Sequence, residues 1–323
     1  MDLLKRYMVL PAVTIALTTG VMAQNAGPFG FGGEQVNENV AKYSAMLSDI
    51  NYAGDEEAYH NLDIYYPEHG EGPFPVVVHI YGSAWFSNSS KGSADINTIC
   101  AALLDKGFAV VTPNHRSSGD AKYPAQIHDI KAVVRFLRGN AEKYNLDKNF
   151  IGVSGFSSGA HLASLMGATN GTGTYRIGDA EMDIEGSIGN YPGESSMVNC
   201  VCEWSGPIDL LNMDCAGENS WKPSPEEVVM GMPLSGNEDS YRLLSPIYFL
   251  DKNDPSFLVF HGTADNVVPV CQGRIIADAL DEAGVTYEYV EVAEGGHGFK
   301  MYTPENLTKM TDFFTSQLRQ PQK

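Results

Sequence analysis

The chain has 323 residues, 43% of them hydrophobic, and a formal net charge of −19 at pH 7. This length and apolar content are enough to bury the core of one ordinary α/β domain. The acidic balance excludes nucleic acid as an expected partner, because binding to phosphate groups requires clustered basic side chains. Composition therefore indicates one acidic globular domain that acts on neutral or cationic ligands.

The first 23 residues have the pattern of a secretory signal peptide. Lys5 and Arg6 precede an apolar run from Met8 to Leu17, and small residues follow it up to Ala23. The run is shorter than the roughly 20 residues that a membrane span needs. We therefore expect cleavage after Ala23, no stable membrane insertion of the mature chain, and a secreted or periplasmic location.

After a glycine-rich lead-in at 24–45, strand-like and helix-like segments alternate over 46–323. The predicted strands are, in order, LDIYYP, FPVVVHIY, FAVVTPN, NFIGVSG, VNCVCEWSG, PSFLVFHG and VTYEYVEV. The predicted helices are ADINTICAALLDKG, AQIHDIKAVVRFLRGN, SGAHLASLMGA, CQGRIIADALDEAG and PENLTKMTDFFTSQL. Such alternation predicts an α/β fold with a mostly parallel sheet covered on both faces. A looser stretch at about 170–240 predicts long loops or a small cap.

Three of the five cysteines, Cys200, Cys202 and Cys215, lie close together in the sequence. An exported chain can oxidise a pair of them to a disulfide. Zinc binding is an alternative, but paired C-x-x-C spacing is missing, and three partly buried thiols are a third interpretation. Cys100 and Cys271 lie in apolar helical patterns and are predicted to be core residues.

The segment NFIGVSGFSSGAHLASLMGA joins a predicted strand to a predicted helix and contains one G-x-S-x-G motif, Gly155 to Gly159. In this motif a sharp turn aims the serine hydroxyl out of the sheet, and glycines are needed because side chains would collide with neighbouring backbone. The pattern alone is weak evidence, but here the required strand and helix flank it. Ser157 is the predicted nucleophile.

A serine nucleophile needs a base and a carboxylate, which follow this motif in the order Ser, Asp or Glu, His. His297, in EGGHGF after the strand VTYEYVEV, is the predicted base. Asp265 follows the strand PSFLVFHG and is the predicted acid, whereas Asp251 and Asp254 precede that strand. The alternative role of Asp265 is to form the turn in TADN. The histidines interpreted as structural are His161, packed in a helix, and His261, which shapes the loop of the acid.

Acyl transfer also needs backbone N–H groups that stabilise the oxyanion of the tetrahedral intermediate. The residue after the nucleophile, Ser158, is one predicted donor. The other predicted donors are Ser83 and Ala84, in IYGSAWF at the end of the apolar strand FPVVVHIY.

Six segments in this order carry a resemblance to a known family: IYGSAW, PNHRSS, YPAQIHDIKAVVRFLRGNAEKYNLD, GFSSGAHLA, HGTADNVVP and GGHGF. From about Asn61 to Leu318 the chain resembles the α/β-hydrolase superfamily, specifically exported acetyl and feruloyl esterases related to the hormone-sensitive lipase group. The resemblance implies the α/β-hydrolase fold and serine esterase activity that requires no metal or organic cofactor. It also implies structural, non-catalytic roles for Arg116 and Asp129.

The sequence departs from the family pattern in the predicted oxyanion loop. Tyr81 stands where the family has histidine, and Ser83 and Ala84 stand where it usually has glycines. Backbone N–H groups donate whatever the side chain, but the turn becomes less permissive and the pocket narrower.

The expected substrate is a small-molecule, oligosaccharide or polysaccharide ester, with acetyl or feruloyl groups on plant polysaccharides favoured by export and by aromatic residues near the predicted mouth. The candidate substrate-binding residues are Trp85, Phe86, Tyr191 and Trp204, although such aromatics are more often core residues. An exopeptidase of the same fold and a non-catalytic carbohydrate-binding protein are the alternatives. A complete triad in the right order argues against the non-catalytic protein, and the length leaves no room for the large propeller of the prolyl oligopeptidases.

Overall fold

The computed structural model describes residues 43–92, 95–171, 173–215 and 224–318. The predicted leader at 1–23 and most of the predicted lead-in at 24–45 lie outside these ranges. Among the described residues, no helix combines the length and the apolarity that a bilayer crossing requires.

The centre of the domain is an eight-stranded sheet in the spatial order β1-β2-β4-β3-β5-β8-β9-β10, and β6 pairs with β7 in a separate hairpin. In the sheet β2 runs antiparallel to β1 and to β4, and the other neighbours are parallel. The mostly parallel sheet is therefore confirmed. The strands are β1 (Tyr43–Asn51), β2 (Asn61–Pro67), β3 (Phe74–Ile80), β4 (Ala109–Pro113), β5 (Leu146–Phe156), β6 (Thr174–Ile177), β7 (Ala180–Asp183), β8 (Cys200–Trp204), β9 (Ser256–Gly262) and β10 (Tyr287–Val292).

Helices cover both faces of this sheet. One core cluster packs α2, α3 and α6 on one face through residues such as Ile130, Leu162 and Leu280. A second cluster packs α1 and α7 on the other face, with Leu104 and Phe314 among its members. The helices are α1 (Ala101–Asp105), α2 (Ala125–Gly139), α3 (Ser158–Ala168), α4 (Pro225–Met230), α5 (Glu238–Arg242), α6 (Cys271–Ala283) and α7 (Pro304–Gln317).

Both faces of the central strands are buried, which explains their continuous apolar runs. In β3, Val76 and Val78 belong to the first cluster and Val77 to the second. The carboxyl ends of β3, β5, β9 and β10 meet at one edge, so the loops after these strands converge there.

Two parts of the predicted organisation differ from the structure. The strand β1 begins at Tyr43, inside the predicted lead-in, and it pairs with β2 at the edge of the sheet. The β6–β7 hairpin, α4 and α5 lie in the stretch predicted as loops or cap. Alternation of polar and apolar residues in such short elements is too brief to distinguish them from loops.

Candidate active site

Ser157 lies on a strained turn between β5 and α3, with φ 55° and ψ −125°. The flanking glycines are required by close backbone contacts. A Cβ on Gly155 would collide with the carbonyl of Gly159, and a Cβ on Gly159 would collide with the carbonyl oxygen of Ile80 in β3. The turn therefore exists only because both positions lack a side chain.

The structure brings the three predicted triad side chains together. His297 Nε2 lies 2.9 Å from Ser157 Oγ, and His297 Nδ1 lies 2.8 Å from Asp265 Oδ2. These distances are hydrogen bonds, and they join residues from the loops after β5, β9 and β10. The arrangement can transfer the serine proton to the imidazole while the carboxylate orients the ring.

Asp265 is held as a carboxylate by its surroundings. Its Oδ1 accepts hydrogen bonds from the backbone N–H groups of Val267 and Val268, both at 2.9 Å. Burial opposes ionisation, but the hydrogen bond and charge of His297 and these two N–H groups hold the pKa of Asp265 below its ordinary value. The acid is therefore ionised at neutral pH.

The two other predicted histidines have structural positions. His161 is buried in α3, its Nε2 lies 2.7 Å from the carbonyl oxygen of Leu244, and burial lowers its pKa to about 4. His261 is the penultimate residue of β9, and its Nε2 donates to the carbonyl of Val268 at 2.9 Å. That bond shapes the loop of Asp265, as the sequence predicts.

The loop after β3 lies directly against the nucleophile. A Cβ on Gly82 would come within 2.7 Å of Ser157 Cβ, so only glycine fits there. Ala84 and Trp85 have positive φ values of 49° and 60°, in the region that glycine tolerates best. The departure from a glycine-rich loop is therefore accommodated by local backbone strain.

The predicted oxyanion donors are in different situations. The N–H of Ser83 donates to Ser158 Oγ at 2.9 Å, so this donor is already engaged inside the protein. Ser158 is the first residue of α3, and first-turn N–H groups have no acceptor within their own helix. The side chain of Ser158, which the sequence analysis did not consider, thus competes for one of the three proposed donors.

Of the four aromatic residues predicted to bind substrate, Phe86 is the one that is largely exposed. Phe86 is 43% exposed, whereas Trp85 and Trp204 are 2% and 0% exposed. Trp204 stacks on Phe260 with ring centroids 3.9 Å apart, and its carbonyl accepts the N–H of Ser157. Both tryptophans therefore support the site from below, and the prediction that they contact substrate is wrong.

Tyr191 lies at the far end of the domain. Its ring packs on Phe136, and its hydroxyl donates to Asn140 Oδ1 at 3.0 Å, at the carboxyl end of α2. That end of α2 leads into the start of β5, whereas Ser157 follows the last residue of β5. The prediction that Tyr191 contacts substrate is therefore also wrong.

Arg116 and Asp129 form an ion pair in which the Asp129 carboxyl is fully buried. Arg116 Nη2 lies 2.6 Å from Asp129 Oδ1, and the Arg116 N–H donates to Asp129 Oδ2 at 2.8 Å. Burial opposes ionisation of Asp129, but His60 and Arg116 hold its pKa below its ordinary value. The pair fixes the loop after β4, in keeping with the structural role expected for it.

The disulfide joins Cys215 to Cys271, with Cα atoms 6.4 Å apart. Cys200 and Cys202 are buried and reduced, so of the three alternatives left open for the close-spaced cluster a disulfide within it does not form, and the prediction that Cys271 is a core residue is wrong. The neighbouring Gln272 accepts the N–H groups of Ile208 and Asp209, both at 2.8 Å. The segment after β8 is thus tied to the start of α6.

Sequence reasoning missed Glu203, which is fully buried at the end of β8. Its carboxyl accepts the N–H of Gly206 at 2.8 Å, and burial raises its pKa to about 8. The sequence signal was a lone acidic residue in the apolar strand VNCVCEW.

In the described ranges, His, Cys, Asp and Glu side chains form no group of three suited to hold a metal ion.

Comparisons with known proteins agree with this fold. The BD-FAE family model matches residues 62–280. Esterase LipQ of Mycobacterium tuberculosis is 29% identical over 264 residues, which cover 80% of this chain and 59% of that protein. Esterase LipC of the same organism is 29% identical over 232 residues, covering 71% and 54%. The chain thus spans somewhat more than half the length of these relatives.

Two solved structures are more similar in sequence. A truncated form of a carbohydrate esterase from gut microbiota is 44% identical, with a TM-score of 0.84 over 88% of this chain and 99% of that one. A bifunctional GH43-CE protein of Bacteroides eggerthii is 49% identical, with a TM-score of 0.81 over 84% of this chain and 35% of that one. The chain belongs to the BD-FAE family of α/β-hydrolase esterases.

Proposed function

We propose that the protein is an exported serine carboxylesterase that removes acetyl or feruloyl groups from plant polysaccharides through an acyl-enzyme. The observation that carries this proposal is the pair of hydrogen bonds linking Ser157, His297 and Asp265, at 2.9 and 2.8 Å. The esterase relatives and carbohydrate esterase structures support the same chemistry.

In the proposed mechanism, Ser157 Oγ attacks the ester carbonyl while His297 Nε2 takes its proton. The same imidazole then protonates the departing alcohol, and a water activated by His297 releases the acid. Asp265 keeps Nδ1 protonated and stabilises the imidazolium that forms. The N–H groups of Ala84 and Ser158 are the proposed oxyanion donors, joined by Ser83 if the hydroxyl of Ser158 releases it.

A polymeric alcohol is supported by the exposure of the residues around the triad. Ser157 is only 7% exposed, so the acyl group must enter the protein while the bulk of a polysaccharide stays outside. Phe86, Val267 and Phe299 are 43%, 55% and 49% exposed. Each lies two positions from a proposed catalytic residue, and we propose that they contact the sugar chain. Aromatic faces bind the apolar faces of sugar rings in water.

Export is supported by the predicted leader and by the Cys215–Cys271 disulfide. Disulfides persist in oxidising compartments such as the periplasm and the extracellular space. We therefore propose that the mature protein begins after Ala23.

The test of the nucleophile is hydrolysis of 4-nitrophenyl acetate by the purified protein and by Ser157→Ala. Removal of the nucleophile should lower kcat by several orders of magnitude. Ser154→Ala is the matched control, because Ser154 is a buried serine of the same segment that lies outside the triad. Equal turnover by the parent and by Ser157→Ala would contradict the assignment.

A substrate panel then separates the finer alternatives. We expect release of acetate from acetylated xylan or of ferulate from methyl ferulate, with no turnover of aminoacyl anilides. Preferred turnover of the anilides would support the exopeptidase. Binding of xylan without turnover of any ester would support the non-catalytic protein.

A further inference from the structure

Glu203 lies one strand away from the nucleophile turn. β8 pairs with β5 so that Glu203 stands opposite Gly155 and Trp204 opposite Phe156. The nucleophile is bonded to the same strand, because the Ser157 N–H donates to the carbonyl of Trp204, the residue after Glu203, at 2.9 Å. The carboxyl group is therefore part of the scaffold that fixes the nucleophile.

The carboxyl packs against the first turn of α3. A Cβ built on Gly206 would lie 2.9 Å from Glu203 Oε2, 3.1 Å from Ala160 Cβ and 3.3 Å from the His161 nitrogen, so these groups surround one point. Glu203 Oε2 accepts the Gly206 N–H, and Oε1 has no hydrogen-bond partner among the described residues. The carboxyl group is therefore fully buried, and only one of its two oxygens accepts a hydrogen bond.

The charge state of Glu203 follows from that environment. Burial raises its pKa to about 8, and the Gly206 N–H opposes the shift. Other titratable groups lie on this side of the sheet, on its strands and on the helices that cover it. Burial lowers the pKa of the two histidines among them, so their imidazoles are neutral. These groups are His161 from α3, His261 from β9, Tyr289 and Glu291 from β10, and Arg274 from α6, which pairs with Glu291.

We propose that Glu203 is a positioning residue that works as a neutral carboxylic acid: it holds the turn at Ser205–Gly206 against the start of α3, and its ionisation disables the nucleophile turn. A carboxylate at this place would set an unpaired charge beside the N–H groups proposed to stabilise the oxyanion. Activity should therefore have an alkaline limit set by a residue outside the triad.

The size of the effect can be estimated from the strand spacing. Neighbouring strands lie about 4.8 Å apart, which puts the carboxyl on the order of 9 Å from the developing oxyanion. Coulomb repulsion at an effective dielectric constant of about 20 then predicts a loss of roughly 10- to 20-fold in kcat/KM on ionisation.

The experiment measures kcat/KM for 4-nitrophenyl acetate from pH 5 to 10 and rests on the proposed function. The parent protein should lose activity above pH about 8, and Glu203→Gln should retain activity there because an amide stays neutral. Glu203→Ala should be about tenfold less active at every pH, since the Gly206 N–H loses its acceptor. Glu226→Gln, at another buried carboxyl with a raised pKa, is the matched control and should follow the parent.

A loss above pH 8 that persists unchanged in Glu203→Gln would overturn the proposal, as would its disappearance in Glu226→Gln. A second measurement does not need turnover. In urea unfolding, the stability of the parent relative to Glu203→Gln should decrease between pH 5 and 8, because the folded state holds a proton that the unfolded state releases. A constant difference would contradict a neutral Glu203 even if the proposed esterase activity failed.

Discussion

Removal of the Cys215–Cys271 disulfide should destabilise the protein by a calculable amount. The two residues are 56 positions apart, so the bond closes a large loop of the unfolded chain. In the chain-entropy treatment, a loop of that size corresponds to about 14 cal/mol/K, or about 4 kcal/mol at 25 °C. The Cys215→Ala/Cys271→Ala variant should lose this amount of unfolding free energy.

The assay is urea denaturation of the parent and the double variant, each with and without reductant. Without reductant the two curves should differ by about 4 kcal/mol, which is a shift of about 1–2 M in the midpoint. With reductant the curves should coincide, because reduction opens the Cys215–Cys271 bond that distinguishes the two proteins.

Counting the reactive thiols tests the Cys215–Cys271 bond without a measurement of stability. The unfolded, unreduced parent should react with a thiol reagent at three cysteines, since two of the five in the sequence are paired. Reaction at five cysteines, or superimposable denaturation curves without reductant, would refute the role assigned to this bond.

Three further predictions concern the site and its support. Asp265→Asn should lower kcat for 4-nitrophenyl acetate by about 10³–10⁴ in a protein that still folds, as circular dichroism should show, because the amide cannot hold the imidazole tautomer; an unchanged kcat would contradict the triad. Gly159→Ala should yield little soluble protein, and none labelled by an organophosphonate, because its methyl group would meet the Ile80 carbonyl. Asp129→Asn should cost about 3–5 kcal/mol at pH 7, measured by urea denaturation. That cost should begin to fall below pH about 4, by up to about 1.4 kcal/mol per pH unit, and should disappear only below the depressed pKa of the folded carboxyl; a cost that stays constant from pH 7 to 3 would contradict the pairing.

The triad was predictable because each member is fixed by local sequence. The glycines around Ser157 demand a strand-to-helix turn, and His297 and Asp265 each follow a predicted strand. Parallel strands deliver such loops to one edge of a sheet, so order along the chain was enough to bring the three together.

The disulfide, the position of Tyr191 and the partner of the Ser83 N–H could not be predicted, because they depend on contacts between residues that are distant in the sequence. Cys215 pairs with Cys271 because the segment after β8 folds back onto α6, whereas the closer Cys200 and Cys202 point into the sheet core. Tyr191 packs at the carboxyl end of α2, on Phe136 and Asn140, because the loop before β8 passes there. The hydrogen bond from the Ser83 N–H to Ser158 Oγ could not be predicted, because it depends on the side-chain rotamer of Ser158.

The close fit of backbone at Gly155, Gly159 and Gly82 makes the nucleophile and the proposed oxyanion loop one rigid piece, formed by β3, β5 and α3. The imidazole and its carboxylate belong to another piece, carried by the loops after β9 and β10. Warming that loosens the contact between the two pieces will remove the base from the serine before it disturbs the serine itself. Heat inactivation should thus begin as the loss of proton transfer in a protein that still holds its substrate.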